Sequence, residues 1–379
     1  MLTPFDDYPI HQTSEPLAHA GQGHPDQYDR FWFNGYTEDF FFAVALGVYP
    51  NRGVIDAAFS VVHDGVQRSV YASGRIPLDR TATQIGPIGV KILEPMRTCQ
   101  ITVDAPEHGL TATLTSQART SVVEEERGVL NVGTRRTWDL TRATQLVSWT
   151  GSLTTGGTKI DLTGKKVYGT KDRSWGVRPV GIPPQRAPED QDQQLFFLWT
   201  PLNFEDKCLH YMVHEDSHGV PWAETGAIIP VIGEQDPVFD VEDTVLGLGT
   251  VRHEIDWEPG LRRARSGKLL FSDPDGQDVS VELEPLFPFR MRGVGYFHPK
   301  WQHGTWHDEL VVGGEEFTVE ELDVLQQDYV HLQQVVRAKW GDRTGYGVME
   351  QVVFGPYYPA GMTDFLDGAQ QDVVSLSVR

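Results

Sequence analysis

Hydrophobic and polar residues alternate with a period of two along most of the chain. In residues 330–339 the even positions, among them Val330 and Leu332, are more apolar than the odd positions, such as His331 and Lys339. This alternation predicts a β-strand with one wetter face. Similar patterns predict strands at 57–63, 110–116, 195–200, 207–213, 279–284 and 348–354.

Turn signals separate the predicted strands. They are Pro-Asn-Arg-Gly at 50–53, His-Asp-Gly at 63–65 and Asp-Pro-Asp-Gly at 273–276. Such clusters are typical of tight connections between strands. One short helix is predicted near 318–325, because Thr318 and Glu321 resemble a capping box ahead of Leu322. We therefore predict an all-β fold with little helix.

Two blocks of sequence recur weakly in the same order. Residues 61–78 and 212–231 share an apolar strand, a His-acid turn with Gly, an aromatic-Ala pair and a Pro. Residues 92–115 and 257–284 share a Glu-Pro, an Arg and an alternating strand. The alternative is chance resemblance between β-meanders. The conserved order favours a tandem duplication of two like domains.

A Pro-rich polar segment divides the two predicted halves. Residues 179–194 show no periodicity, which is typical of a linker between domains. We therefore predict an N-terminal β-barrel domain at 1–180 and a C-terminal one at 181–379. Functional sites often form where two domains meet.

Composition and charge exclude several classes of partner. The 379 residues include 32 basic and 53 acidic side chains, giving a formal net charge of −21. An acidic surface repels phosphate backbones and anionic lipid, so we expect no nucleic-acid partner. The long apolar run at 40–49 is far too short for a membrane-spanning helix, and we expect no stable membrane insertion.

Cysteine content and the N-terminal residues indicate the compartment. Only Cys99 and Cys208 are present, which excludes a disulfide framework and any Cys-x-x-Cys metal or redox motif. The first residues lack the basic start and apolar core of a signal peptide. We expect a soluble cytoplasmic protein, with a homodimer left open.

The segment YGTKDRSWGVRP, residues 168–179, is the strongest candidate for a site. It gathers Tyr168, Lys171, Asp172, Arg173, Trp175 and Arg178 into eleven positions, with Gly169 and Gly176 near its ends. Glycines at both ends predict a break in regular structure or a close backbone approach. One interpretation is structural, with Trp175 closing a barrel end beneath an Arg. Asp172 favours a functional interpretation, because a carboxyl group beside a Trp and between two cations has no packing use.

A second candidate segment is GDRTGYGVMEQ, residues 341–351. It places Arg343, Tyr346 and Glu350 among three glycines. The alternative is a tight hairpin with a solvated Arg paired to a Glu. Glu350 favours a site, because its neighbours Val348 and Val352 are apolar, and it would pair with Asp172 if the two segments meet.

Histidines and aromatic residues supply further candidates. His210 and His214 share a strand face about 13 Å apart, too far for one metal ion, so we predict exposed histidines and no metal site. A hydrolase would need His214 and His307 to converge. Most aromatics near 31–42 are expected in a core, but Trp32 and Tyr36 could line an apolar pocket.

The DRSWG core preceded by Tyr-Gly, the paired β-rich halves and the 341–351 run resemble the carotenoid 1,2-hydratase and AttH-like family. The resemblance implies two tandem lipocalin-like barrels that add water to an isolated alkene, or cyclise a hydrophobic chain, without a cofactor. It also implies that Asp172 is the acid that protonates the alkene. The sequence departs from the family at Arg173, where a His is usual.

We therefore predict a cofactor-independent hydratase, lyase or isomerase that acts on a hydrophobic terpenoid, steroid-like or polyketide molecule. Asp172 would be the acid. Four aromatic residues would bind the substrate and stabilise a carbocation, namely Tyr168, Trp175, Trp32 and Tyr36. Four residues would orient the acid, namely Arg173, Arg178, Tyr346 and Glu350. The alternative is a non-catalytic lipocalin-like carrier of an apolar small molecule.

Overall fold

The computed structural model describes residues 9–180, 194–239, 245–273, 275–322 and 325–377. The first strands are β1 (Gln27–Tyr36), β2 (Phe40–Tyr49), β3 (Val54–His63), β4 (Val66–Arg75), β5 (Gln84–Ile85), β6 (Ile88–Glu94), β7 (Thr98–Ala105), β8 (Leu110–Ala118), β9 (Val123–Glu124), β10 (Gly128–Val132), β11 (Arg135–Thr155), β12 (Thr158–Asp161) and β13 (Tyr168–Val177). The later strands are β14 (Leu195–Asn203), β15 (Lys207–Glu215), β16 (Pro221–Pro230), β17 (Leu246–Gly247), β18 (Val251–Trp257), β19 (Ala264–Ser272), β20 (Asp278–Arg290), β21 (Leu310–Thr318), β22 (Leu332–Trp340), β23 (Arg343–Phe354) and β24 (Val374–Leu376).

The all-β prediction is confirmed. Each strand predicted from the alternation overlaps an observed one, although the strand predicted at 330–339 begins at Leu332. The helical elements of the described residues are short 3₁₀ turns at Pro50–Arg52, Pro106–His108, Met291–Val294, Val319–Glu321 and Tyr358–Ala360. The helix predicted near 318–325 is wrong. A single 3₁₀ turn follows β21, and the Thr318 side chain makes no capping hydrogen bond.

Two antiparallel sheets make up the structure, one a near-closed barrel and the other a half-barrel. The first has the order β21-β4-β3-β2-β1-β13-β11-β8-β7-β6-β5, with β9, β10 and β12 also pairing with β11. The second has the order β17-β16-β15-β14-β23-β22-β20-β19-β18-β24. In each sheet an early strand pairs with a late one, β1 with β13 and β14 with β23.

The strand order aligns the two halves differently from the sequence repeat. When strands are counted outward from the β1–β13 pair in the first sheet and from the β14–β23 pair in the second, the β15–β16 hairpin corresponds to β2–β3. The sequence repeat instead aligns 212–231 with 61–78, one strand further along. In addition, β21 pairs with β4 and so adds a strand from the second half of the chain to the first sheet. The division at 180 and the duplication stay predictions, and residues 181–193 of the predicted linker lie outside the described residues.

Three apolar layers result from these two sheets. One fills the first barrel and includes Phe31 and Phe33, and another lies inside the second sheet and includes Leu209. The third joins the sheets and includes Trp32 of β1 and Trp199 of β14. Because successive side chains of a strand point to opposite faces, β1 contributes to two layers. Strand β2 does the same, which explains why it reads as an unbroken apolar run.

No helix in the described part of the chain is long and apolar enough to cross a membrane.

Candidate active site

The segment 168–178 forms a regular strand, contrary to the break that its glycines predict. Residues Tyr168–Val177 are β13, paired with β1 on one side and with β11 on the other. The glycines permit close approach. A Cβ at Gly169 would lie 2.0 Å from the Asn34 carbonyl oxygen, and one at Gly176 would lie 2.2 Å from the Asp139 carbonyl oxygen. The segment is therefore the centre of the first sheet.

Alternation along β13 separates the predicted site residues into two groups. Asp172 points to the layer between the sheets, where the charge of Glu350 from β23 acts on it. Arg173 points the other way, donates to Asp29 Oδ1 at 2.7 Å and stacks on Phe31 at 3.8 Å. The prediction that Arg173 orients the acid is therefore wrong, because its guanidinium is bound on the opposite face of the sheet.

Trp175 also lies on the face opposite to Asp172, three residues along the strand. The residue is 41% exposed, so it neither closes a barrel end nor shares a face with the carboxyl group. The structure therefore does not place Trp175 beside Asp172, and their joint action on one substrate stays a prediction. Trp32 takes that place, because it lies opposite Asp172 in the register of β1 and β13 and is 6% exposed.

The Asp172 carboxyl group has few partners. Its Oδ2 lies 3.7 Å from Arg142 Nε, and the side chain is 15% exposed. Its Oδ1 is buried without a hydrogen-bond partner among the described residues. Burial raises the pKa of Asp172 to about 7, with Arg142 opposing the shift and the charge of Glu125 adding to it. This carboxyl group therefore keeps its proton at pH values where an ordinary Asp is ionised.

Glu125, which follows β9, has the opposite environment. Its Oε1 accepts hydrogen bonds from Thr144 Oγ1 at 2.7 Å, from His210 Nε2 at 3.0 Å and from Trp199 Nε1 at 3.1 Å. Its Oε2 accepts one from Arg142 Nη1 at 3.1 Å. Burial raises the pKa of Glu125, but the Arg142 charge and these donors outweigh it and bring the pKa to about 2.

Arg142 thus lies between the carboxyl groups of Glu125 and Asp172 and binds Glu125 more closely. Glu125 receives its hydrogen bond, whereas Asp172 lies at ion-pair distance only. The ionised Glu125 then disfavours a second negative charge nearby. One carboxyl group stays ionised and the other holds a proton near neutrality, which is the arrangement that acid catalysis requires.

Glu350 of β23 faces the same layer from the second sheet. It accepts hydrogen bonds from His331 Nε2 at 2.7 Å and from Gln333 Nε2 at 2.6 Å. Asn34 Nδ2 donates to Gln333 Oε1 at 3.0 Å and so links the two sheets. Glu350 also raises the pKa of Asp172, although less than burial does. The sequence predicted a pair of these two carboxyl groups only if their segments meet, and the structure brings them into one electrostatic environment.

Arg178 joins this group through Tyr296. Its Nη2 donates to Tyr296 Oη at 3.0 Å, and its guanidinium stacks on Tyr28 at 4.7 Å. The His331 ring packs edge-on against the Tyr296 ring at 4.8 Å. Arg178 also lowers the pKa of Asp172. Tyr296 therefore connects the cation near Asp172 with the histidine beside Glu350.

Tyr36, Tyr168 and Tyr346 lie further along the strands. Tyr36 and Tyr168 are paired four residues from Trp32 and Asp172, about 13 Å away by strand rise. Tyr346 is also four residues from Glu350, and its hydroxyl donates to Glu38 at 2.7 Å. These three residues border the same layer but do not contact the Asp172 carboxyl group, so the prediction that Tyr346 orients the acid is wrong.

Two of the histidines predicted to be exposed, His210 and His214, are buried, whereas His218 lies in an exposed turn. His210 is fully buried against Glu125, and His214 stacks between Phe197 at 4.6 Å and Trp222 at 4.5 Å. Burial lowers the pKa of His214 to about 3. His307 instead packs on Trp301 at 5.1 Å, so these two rings do not share a partner as a hydrolase would need.

In the part of the chain that the structure describes, no group of three His, Cys, Asp or Glu residues is placed to hold a metal ion. A polar cleft of about 620 Å³ lies on the first sheet, lined by Gln84, Thr102, Thr113 and Ser152 among others. None of the residues around Asp172 lines it. This cleft and the titratable groups around Asp172 are therefore in different places, and those titratable groups identify the candidate active site.

Sequence reasoning missed Glu125, Arg142, Tyr296 and His331. Glu125 lies in the run Glu-Glu-Glu-Arg, which is typical of a solvated face, and only the tertiary structure buries it. His331 occupies a polar position of the alternating pattern at 330–339, which is typical of a solvated face, and only the tertiary structure buries it. No local pattern distinguishes Arg142 or Tyr296.

Comparison with known proteins gives a family and a fold. The model of a family described as "Family of unknown function (DUF8625)" matches residues 2–363. A search among curated proteins gave no match. Among solved structures, kievitone hydratase from Nectria haematococca is similar, with a TM-score of 0.50 and 16% sequence identity over 93% of this chain and 96% of that one. At this identity the likeness shows a shared lipocalin-like fold.

Proposed function

This chain belongs to the Family of unknown function (DUF8625), and we propose that it is a cofactor-independent hydratase or hydro-lyase that acts on an alkene in a hydrophobic small molecule. The observation that carries the proposal is the environment of Asp172. Its carboxyl group is buried between two sheets, has a pKa raised to about 7, and has one oxygen without a partner among the described residues. A protonated carboxyl group aimed at an apolar layer is suited to protonating an alkene.

The reaction needs only a proton and water. The Asp172 O–H bond breaks and its proton bonds to one alkene carbon through the π electrons, which leaves a carbocation on the other carbon. Water adds to that carbon and loses a proton, so alkene and water give an alcohol. Dehydration is the reverse, and loss of a proton from the cation without water gives an isomer. No oxidant, reductant or metal is needed for these steps.

The surroundings favour a hydrophobic substrate. The layer around Asp172 contains Trp32, Phe197, Trp199 and Val348. Aromatic faces stabilise a nearby cation, and Trp32 lies beside the carboxyl group in the strand register. The fold shared with kievitone hydratase is a supporting analogy, and the substrate class (terpenoid, steroid-like or polyketide) is part of the proposal.

The test is turnover in H₂¹⁸O. The protein is incubated with kievitone and with a set of terpenoid and polyketide alkenes, and a mass gain of 20 in the product is measured. We expect an ¹⁸O-labelled alcohol from the wild type and from Asp104→Asn, an exposed carboxylate on β7, and none from Asp172→Asn. Binding of an alkene without any product by all three proteins would favour the carrier and overturn the proposal.

A further inference from the structure

The residues that would deprotonate the attacking water are a second feature of the same site. His331 immediately precedes β22, and Glu350 lies on the neighbouring strand β23. His331 Nε2 lies 2.7 Å from Glu350 Oε1, and Gln333 Nε2 donates to Glu350 Oε2 at 2.6 Å. A histidine nitrogen that donates to a carboxylate carries a proton, and in the neutral ring the other nitrogen, Nδ1, then holds the lone pair.

His331 Nδ1 is buried and has no hydrogen-bond partner in the described parts of the chain. Buried polar atoms are nearly always paired, so one that is not indicates a site for water or a ligand group. The ring also packs edge-on against Tyr296 at 4.8 Å and Phe297 at 6.2 Å. They fix the plane of the imidazole without using its lone pair.

The dyad and Asp172 face the same layer between the two sheets. Tyr296 packs against His331 and accepts a hydrogen bond from Arg178 at 3.0 Å. Arg178 and Glu350 both act on the Asp172 carboxyl group. Since β13 and β23 belong to different sheets, the acid and the dyad project into this layer from opposite sheets. That placement suits addition of a proton and of water to the two carbons of a double bond.

We propose that His331 is the catalytic base of this site and that Glu350 positions it. As water bonds to the carbocation, His331 Nδ1 takes the proton that the water loses, and the imidazolium formed is stabilised by the Glu350 carboxylate. The proton later returns through solvent, and Asp172 is reprotonated. This inference rests on the proposed function, which assigns Asp172 as the acid.

The opposing interpretation is that His331 only holds Glu350 in place. His331→Gln distinguishes the two, because a Gln amide can still donate to Glu350 but has no basic nitrogen. In D₂O with an alkene turned over by the wild type, we expect alcohol formation by His331→Gln to fall about 10²–10³-fold. Deuterium incorporation into recovered alkene should stay within about threefold, since Asp172 still protonates and deprotonates the carbon.

The control is His218→Gln, in an exposed turn, which should match the wild type in both readouts. Alcohol formation within about threefold of the wild type in His331→Gln would overturn the proposal. Equal loss of alcohol and of deuterium label would also overturn it, because it would indicate a structural role. Failure of the proposed function would look different, with neither alcohol nor label from the wild type.

A second measurement needs no substrate. In the ¹⁵N spectrum of histidine-labelled protein at pH 7.5, the signal missing from His331→Gln is that of His331. We expect the neutral form with the proton on Nε2. A proton on Nδ1, in either a neutral or a charged ring, would leave no lone pair to accept one and would overturn the assignment.

Discussion

Trp32 and Asp172 lie opposite each other in the antiparallel pairing of β1 with β13. Their side chains therefore project from one face of the first sheet, into the layer between the two sheets. Trp175 projects from the other face of β13 and is 41% exposed. Of these two tryptophans, Trp32 is the one that shares the surroundings of the acid.

This relationship predicts that two tryptophan substitutions lower the free energy of unfolding by very different amounts. Trp32→Ala removes a large buried side chain and should lower the free energy of unfolding by about 3–5 kcal/mol. Trp175→Ala removes a half-exposed one and should cost about 1 kcal/mol or less. Urea denaturation of the two variants measures both values. A larger loss for Trp175→Ala would mean that Trp175 is buried in the folded protein.

The raised pKa of Asp172 predicts a pH dependence of stability. Between about pH 4 and pH 7 the folded protein holds a proton at Asp172 that the unfolded chain has lost, since the pKa is raised from 3.8 to about 7. The free energy of unfolding therefore falls as the pH rises through this window. Asp172→Asn does not titrate, so relative to it the wild type should lose up to about 3–4 kcal/mol from pH 4 to pH 8.

Unfolding of both proteins at several pH values tests this sign. A difference between them that does not change with pH would show that Asp172 titrates at its ordinary pKa. A difference that grows in favour of the wild type as the pH rises would show a lowered pKa.

A substitution at Glu125 should change the pH dependence of the reaction, although Glu125 is not assigned a part in the reaction itself. Glu125→Gln removes the charge that raises the pKa of Asp172 and releases Arg142 to pair with Asp172. The alkaline limb of the pH–rate profile should move to lower pH. Because the variant leaves Arg142 without its closer carboxylate, stability should fall by about 3–5 kcal/mol. A limb at unchanged or higher pH would contradict the pairing of these three groups.

Gly169 tests the close contact between β1 and β13. A Cβ there would lie 2.0 Å from the Asn34 carbonyl oxygen, so Gly169→Ala must push the two strands apart. We expect a loss of about 3 kcal/mol or more in the free energy of unfolding. Gly247→Ala, with open space around it, is the matched control and should change it by less than about 1 kcal/mol. Equal effects of the two substitutions would contradict the strand contact.

The sequence indicated the strands because a two-residue period follows directly from side chains that alternate between the faces of a sheet. The same alternation places Trp175 on the face of β13 that is opposite to the face of Asp172. The glycines of the segment 168–178 suggested a loop instead, so this placement was missed. Glu125 could not be found this way, because its four donors come from β11, β14 and β15 and meet only when the sheets pack. The candidate acid was thus readable locally, and the groups that set its pKa were not.

The central claim is that Asp172 delivers a proton, and Asp172→Asn tests it most directly. Asn is nearly the same shape but cannot donate an acidic proton, so the fold and the affinity for an alkene should be retained. We expect alcohol formation per folded molecule to fall below detection, while the wild-type rate declines as the pH rises through about 7. Calorimetric binding and ¹⁸O-labelled product are measured on the same preparation. Product formation by folded Asp172→Asn at more than about a tenth of the wild-type rate would contradict the account.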